Sequence, residues 1–403
     1  MDGRTSAPIA LTTAQRDALR VLIPGLRVEA ARGSDSEYLL TSGSSVGIGR
    51  VDGLTVELRP KIGIAPLLFL MAYAANPTDW RRDRVWLSPT AGLAEAIITL
   101  FTRLVQDALR PGVLHGYRQR DDVLTTVRGR IRIGDQIRTR TGLPLPVEVA
   151  YDDFTPDILE NRLLRTAADV LTGLRLRGDL ATRQLSTLRR HLHGITPQPI
   201  VGRLIPEPHW TRLNERYRPA VTLARLVLSG VGLEARSGGV TGAAVVVDMN
   251  RIFEEFVRAA LREQLGLRPD AFPPGDRMPV LHLDEQHTCR LEPDLSWWRA
   301  GRCVLVGDCK YKKLAGTAHN PDVYQLLAYL TALRIQAGFL VYAKGEDVNR
   351  DVRVEHTGGK VLRVRVIDAA QPPTNVLAQV AALAAEFRAS SLSEVSAVLQ
   401  GTV

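Results

Sequence analysis

Cysteine is scarce in this 403-residue chain: Cys289, Cys303 and Cys309 are all it has, with no close pair. An odd count at such spacings argues against a disulfide framework and a zinc site, and fits a reducing cytoplasm. Long apolar runs are also missing. The longest, APLLFLMAYAA at 65–75, falls well short of the roughly twenty residues that span a bilayer, so it reads as a buried helix and no membrane contact is expected. The N-terminus, MDGRTSAPIALTTAQRDALR, lacks the basic-then-apolar pattern of a signal peptide, and a cytoplasmic location is expected. There is no internal repeat and no low-complexity tract. No G-x-x-x-x-G-K-[ST] string occurs; the nearest, HTGGKV at 356–361, lacks the hydroxyl residue and the glycine spacing. The chain is therefore expected to bind no nucleotide of its own.

What is present begins with charge. The formal net charge is +9, which suits either a polyanionic partner such as nucleic acid or a solvated basic surface. Residues 1–60 alternate short apolar runs with Gly and Ser and read as small β structure with tight turns. Helices are expected at 64–75 and 90–110. The segment 116–142 carries seven arginines against three aspartates. It reads as a hairpin or exposed strand with a basic face, either for binding or to protect a sheet edge. A break is expected at 142–157, with Thr155 capping a helix that has Pro156 in its first turn. Helices then dominate to about 235, and RSGGVTG at 236–242 reads as a hinge or turn. The expected layout is a small β-rich domain at 1–150, a helical connecting region at 151–240, an α/β core at 241–370 and a helical tail at 371–403.

The core holds the chemistry. In LEPDLSWWRAGRCVLVGDCKYKKL, 291–314, two aspartates interrupt apolar segments that otherwise read as strands. Aspartate is poorly suited to a strand interior and costly to bury without a partner. If the segment is a hairpin turning at Gly301, Asp294 and Asp308 stand opposite each other on one face, with Cβ atoms about 4.5–5.5 Å apart. Lys310 shares the face of Asp308. Two negative charges at about 5 Å repel by roughly 3 kcal/mol at an effective dielectric near 20. Either a divalent cation or Lys310 as a plain ion-pair partner would offset this.

Neighbouring segments add candidates. VVVDMNRIFEEFVRAALREQLG, 245–266, reads as a helix burying Phe253, Phe256, Val257, Ala260 and Leu261. Glu254 lies at the edge of that stripe, positioned either to reach inward or merely to solvate it, and Glu255 reads as solvated. HNPDVYQLLAYLTALRIQAG, 319–338, is punctuated as a helix by Asn320, Pro321 and Asp322 at its start and Gly338 as its stop. Gln325 and Tyr329 share a face of it, either to flank a phosphate or a water or as an ordinary polar rim. Trp297 and Trp298 could stack on bases, though one of them should face the core. His282, His287 and Cys289 lack a fourth ligand at a zinc spacing, and HLHG at 191–194 reads as surface.

A carboxylate on one strand and D-x-K on the next, after a helix Glu and before a Q-x-x-x-Y helix, resembles the PD-(D/E)xK nuclease superfamily, here as Pro293–Asp294 and Asp308–Cys309–Lys310. With DMNRIFEEFV, DCKYKKL and NPDVYQLLAYLTAL, and with VELRPKIG, GYRQRDDVLTTVRGRIRI and FTPDILENRLL outside the core, the chain resembles the McrC family, nuclease subunits of modified-cytosine-dependent restriction systems. The resemblance covers most of 50–345. It implies a nuclease core at 241–370 and double-stranded DNA cleavage with Mg²⁺ (or Mn²⁺). The metal would be held by Asp294, Asp308, the Cys309 main-chain carbonyl and Glu254. Lys310 would position the attacking water or stabilise charge on the phosphate, assisted by Gln325 and Tyr329. It also implies a partner, an McrB-like AAA+ GTPase oligomer whose ring receives the N-terminal β-rich part and whose GTPase the chain stimulates. Lys312, Arg59, Lys61, Arg128 and Arg130 are basic candidates for DNA or partner contact. Two other readings stand beside this one: a stand-alone nuclease of the same superfamily acting on RNA or damaged DNA, and a non-catalytic adaptor that stimulates the motor.

Overall fold

The computed structural model describes residues 6–33, 36–77, 92–139, 145–173, 179–200, 205–229, 231–237, 240–274, 278–314, 320–345 and 349–400. The expectations for residues 90–91, 140–144, 238–239 and 319 fall outside this set. The chain divides into two compact units, one made of residues 1–97 with 230–403 and the other of 98–229. The boundaries expected near 150 and 240 are not where the chain divides.

The first unit opens with β1 (Ile9–Ala10), α1 (Thr13–Leu22), β2 (Arg27–Ala30), β3 (Glu37–Thr41), β4 (Ser45–Val51), β5 (Leu54–Leu58) and α2 (Ile64–Ala75). The region read as β throughout thus contains a helix. Its start is a capping box: the Thr12 side chain accepts from the Gln15 amide at 3.1 Å and the Gln15 side chain accepts from the Thr12 amide at 3.0 Å. Ala18, Leu19 and Leu22 are buried from α1. After α3 (Leu93–Leu109), which spans the division, the second unit contains β6 (Gly116–Leu124), β7 (Arg130–Ile131), α4 (Ile133–Thr139), β8 (Val147–Thr155), α5 (Leu159–Gly173), α6 (Asp179–His191) and α7 (Arg218–Ser229). Its sheet order is β6-β8-β7. The basic segment is therefore not a hairpin. Its two strands flank β8, which occupies the stretch expected to be a break and buries Val147–Tyr151. Thr155 ends that strand. Its hydroxyl accepts from the Asp157 amide at 3.2 Å, a turn contact, and the helix starts at Leu159.

The chain returns to the first unit with β9 (Val231–Ser237) and β10 (Val240–Asp248), then α8 (Met249–Leu265), β11 (Leu281–His282), β12 (Arg290–Leu291), β13 (Leu295–Arg299), β14 (Arg302–Leu314), α9 (Asn320–Ala332), β15 (Ala337–Gly345), β16 (Arg350–Arg353), β17 (Val361–Val366) and α10 (Pro373–Gln400). β10 pairs antiparallel with β4, giving the sheet β5-β4-β10-β9. Ala244 and Val246 share a core with Leu19, Leu22, Ile23 and Val51. α2 packs on α8 through Phe69 and Tyr73, whose ring centroids lie 5.5 and 5.4 Å from that of Phe256. α10 is not a tail: Val376, Val380, Leu383, Ala384 and Phe387 are buried, and Phe387 meets Phe339 at 4.3 Å.

The five-stranded sheet β13-β14-β15-β17-β16 carries the candidate site. β14, β15 and β17 run parallel, with β13 and β16 antiparallel at the edges. A parallel pair needs a crossover connection, and α9 supplies it between β14 and β15. Leu326, Tyr329 and Leu330 of α9 pack with Val306, Leu340, Tyr342 and Val364 on one face, while α8 and α10 pack on β14 as well. Gly338 lies within β15, not at the end of α9. A Cβ there would meet Leu326 Cδ1 at 2.9 Å and Leu330 Cδ2 at 3.0 Å, so the glycine lets the helix approach the strand. The stop is Arg334, with φ 56°. The Ile335 amide donates to the Leu330 carbonyl and the Arg334 amide to the Thr331 carbonyl, each at 3.2 Å, a Schellman pattern.

Candidate active site

The hairpin β13–β14 sets the geometry. Its turn is Ala300–Gly301, both at positive φ (47° and 76°) as a two-residue primed turn requires. Arg299 pairs with Arg302, and Trp298 with Cys303. That register alone would set Asp294 one residue away from facing Asp308. The ladder then shifts between Trp297 and Trp298, so that Trp297 pairs with Leu305 and Leu295 with Gly307. Val304 is the residue passed over, a β-bulge. The bulge places Asp294, just before β13, in line with Asp308. The expected opposition is present, but a two-residue turn plus a bulge produces it, rather than a turn centred on Gly301.

Asp294 Oδ2 accepts from the Cys309 amide at 2.7 Å. Asp308 is 1% exposed, with Lys310 Nζ 2.5 Å from its Oδ2. The Lys310 ammonium thus meets Asp308 Oδ2 directly. Burial raises the Asp294 carboxyl well above the usual range, and the charges of Asp308 and Glu254 add to it. Burial likewise raises Asp308; Lys310 pulls it back and Asp322 pushes it further up. Burial lowers Lys310, yet Asp308, Asp294 and Asp322 together outweigh this and leave it raised, an ammonium held by its neighbours.

From Lys310 a directed series of donors crosses to α9. Lys310 Nζ donates to Gln325 Oε1 at 2.9 Å, Gln325 Nε2 to the Tyr329 hydroxyl at 2.7 Å, and that hydroxyl to the Glu292 carbonyl at 3.2 Å. Gln325 and Tyr329 are thus bonded to each other, and through them the turn before Asp294 is tied to Lys310. Gln325 is exposed, so the site meets solvent there.

Glu254, expected either to reach inward or to solvate the helix, is partly buried and paired. It pairs with the buried Arg258 at 3.0 Å, and Arg258 also contacts Glu255, so neither glutamate merely solvates the helix. Burial pushes Glu254 up to about 7; Arg258 opposes this and Glu255 adds to it. Among the described residues, no three or more His, Cys, Asp or Glu side chains form a group that could hold a metal ion. The grouped donors are accordingly two carboxylates with the Cys309 peptide beside them; Glu254 is ion-paired with Arg258, near enough for its charge to raise Asp294.

Lys312 does face α9, where its Nζ lies 2.7 Å from Asp322 Oδ2. Asp322, read from the sequence only as a helix-dipole partner, is buried and also accepts from the Tyr342 hydroxyl at 2.6 Å. Its spacing from Gln325, one turn earlier on the same helix, was the available signal. Arg258, four residues after Glu254, was detectable by the same rule.

The weaker basic candidates belong to both units. Arg59 is exposed and pairs with Glu57 at 3.1 Å, and Lys61 is partly buried. Arg128 pairs with Asp153 at 3.1 Å and lies 4.0 Å above the Tyr151 ring, and Arg130 is exposed on β7. Trp297 is buried under Arg299, and Trp298 donates from Nε1 to Ser296 Oγ. His282 and His287 stack at 4.5 Å. No helix among the described residues is long and apolar enough to cross a membrane.

No curated protein matches the chain. Among solved structures, it is similar to a chain of the refined half-complex from the tetradecameric assembly of Thermococcus gammatolerans McrB AAA+ hexamers with bound McrC. The identity is 20%, over 88% of this chain and 84% of that one, with a TM-score of 0.48. A chain of the Thermococcus gammatolerans McrBC complex matches at 22% identity over 66% of this chain and 86% of that one, with a TM-score of 0.43. The family described as "McrBC 5-methylcytosine restriction system component" matches residues 40–343. Since that match covers most of the sequence, the chain belongs to the McrBC 5-methylcytosine restriction system component family.

Proposed function

We propose that this protein is the DNA-cleaving subunit of a modification-dependent restriction system, hydrolysing phosphodiesters with a divalent cation, Mg²⁺ or Mn²⁺. The supporting observation is Asp294 in line with the buried Asp308 across one hairpin, with Lys310 against Asp308. Two carboxylates raised by burial, Asp294 further by the charge of Asp308, form a donor set that fits a hard cation.

Asp294, Asp308 and the main chain at Cys309 would hold that ion, with Glu254 available if it leaves Arg258. When bound, the cation would offset charge on the scissile phosphate and acidify a water molecule. Lys310 would present its ammonium to charge developing on the phosphate oxygens. Gln325 fixes that ammonium, and Tyr329 fixes the turn carrying Asp294. Water oxygen bonds to phosphorus as the bond to the leaving sugar oxygen breaks, and that oxygen ends protonated.

The partner in this reading is an AAA+ GTPase oligomer of the McrB type, as in the assemblies named above, whose GTPase the chain stimulates. The test is Asp308→Ala in the reconstituted complex with methylated duplex DNA, GTP and Mg²⁺. Cleavage should fall at least a hundredfold while motor binding and GTPase stimulation persist, a loss on the scale of removing one electrostatic group from an active site. Unchanged cleavage would overturn the site; a wild-type complex that never cuts would favour a non-catalytic adaptor.

A further inference from the structure

The seam between β14 and α9 holds two lysines and two buried carboxylates. Lys310 and Lys312 both reach α9 and lie about 7 Å apart along the strand. Each has its own acid: Lys310 Nζ is 2.5 Å from Asp308 Oδ2, and Lys312 Nζ is 2.7 Å from Asp322 Oδ2. Asp322 is 5% exposed and is fixed from the opposite side by the Tyr342 hydroxyl. If Lys312 were not paired with Asp322, its ammonium would stand unbalanced beside Lys310, with Asp308 as the nearest remaining buried acid of the seam. An ammonium drawn there competes with a divalent cation for the same oxygens.

Building on the cation-dependent reading above, we propose that Asp322 is a positioning residue that sequesters Lys312 and so keeps the Asp294–Asp308 pair open to a divalent cation. It touches no reacting atom and acts by charge balance.

The test titrates full-length protein with Mn²⁺ alone, reading free Mn²⁺ by electron paramagnetic resonance, with thermal unfolding followed in parallel. Asp322→Asn keeps the size of the side chain but removes the charge and one acceptor oxygen. It should weaken Mn²⁺ binding about fiftyfold, the scale of one unit charge acting over roughly 7 Å at an effective dielectric near 20. Lys312→Met should bind Mn²⁺ at least as tightly as wild type. The double variant should return to within about twofold of wild type, as coupled charges do and a packing defect does not. Tyr342→Phe, which keeps the charge, should bind near the wild-type level. Asp322→Asn binding like wild type would overturn the proposal, as would a double variant no better than Asp322→Asn. If Asp322→Asn does not fold, weaker binding by Lys312→Met overturns it. A wild-type chain that binds no Mn²⁺ would overturn the cation-dependent reading and this role together, whereas wild-type binding matched by Asp322→Asn would overturn this role alone.

Discussion

Tyr329 shows how one buried hydroxyl ties a site together. It accepts from Gln325 and donates to the Glu292 carbonyl, and burial, with Asp308 nearby, keeps its proton on. Tyr329→Phe unlinks the two partners, which belong to exposed residues. It should cost about 0.5–1.5 kcal/mol in chemical denaturation and slow cleavage more than it weakens DNA binding, because the turn carrying Asp294 loosens. Asp284 offers a pH-resolved test elsewhere. Its carboxylate accepts from the Thr288 hydroxyl and from the Thr288 and Cys289 amides. These bonds, the Thr288 hydroxyl first, hold its pKa far below the usual carboxylate range. A depressed acid contributes stability above its unfolded pKa and loses it only as pH falls through its folded pKa. Exchange protection of the Thr288 and Cys289 amides should therefore persist at a pH of about 3, where an ordinary aspartate is already mostly protonated. It should vanish at every pH in Asp284→Ala, and a wild-type midpoint at the usual aspartate value would refute the account.

At the scale of elements, the β14–α9–β15 crossover depends on close approach. In Gly338→Ala the new methyl would press on Leu326, Leu330 and the Val306 carbonyl, 3.2 Å away. An overpacked core of this kind loses about 1–3 kcal/mol. Denaturant unfolding should show a lower midpoint, and an unchanged one would contradict the packing. The helices were legible where their signals were local. The apolar stripe of α8 and the Asn-Pro-Asp start of α9 lie within a few residues of what they specify. The capping box of α1 is equally local, but it lies among Gly and Ser that read as turns. The end of α9 misled because Gly338 looks like a stop, whereas Arg334 takes the left-handed conformation and Gly338 serves packing. Glycine in a sequence does not say whether it supplies a torsion or a space.

For the whole molecule, the decisive pairing is β4 with β10, which joins Val51 to Gly242 and Ser45 to Asp248. The first unit is thus assembled from both ends of the sequence. A fragment of residues 1–150 would lose β10 and the Ala244 and Val246 side chains of that core. It should give poorly dispersed amide resonances and rapid proteolysis, and a folded fragment would contradict the division. The sequence by itself determined the chemistry: two aspartates in apolar strands, a lysine at alternate spacing and a polar pair at helical spacing, because strand and helix periods act over a few residues. Tertiary structure alone decided what those groups meet. The bulge at Val304 sets which residues oppose, Arg258 claims Glu254, and Asp322 claims Lys312. Such pairings join positions on different elements or depend on one extra residue in a ladder, and the free energy that selects them comes from burial, which no local pattern encodes.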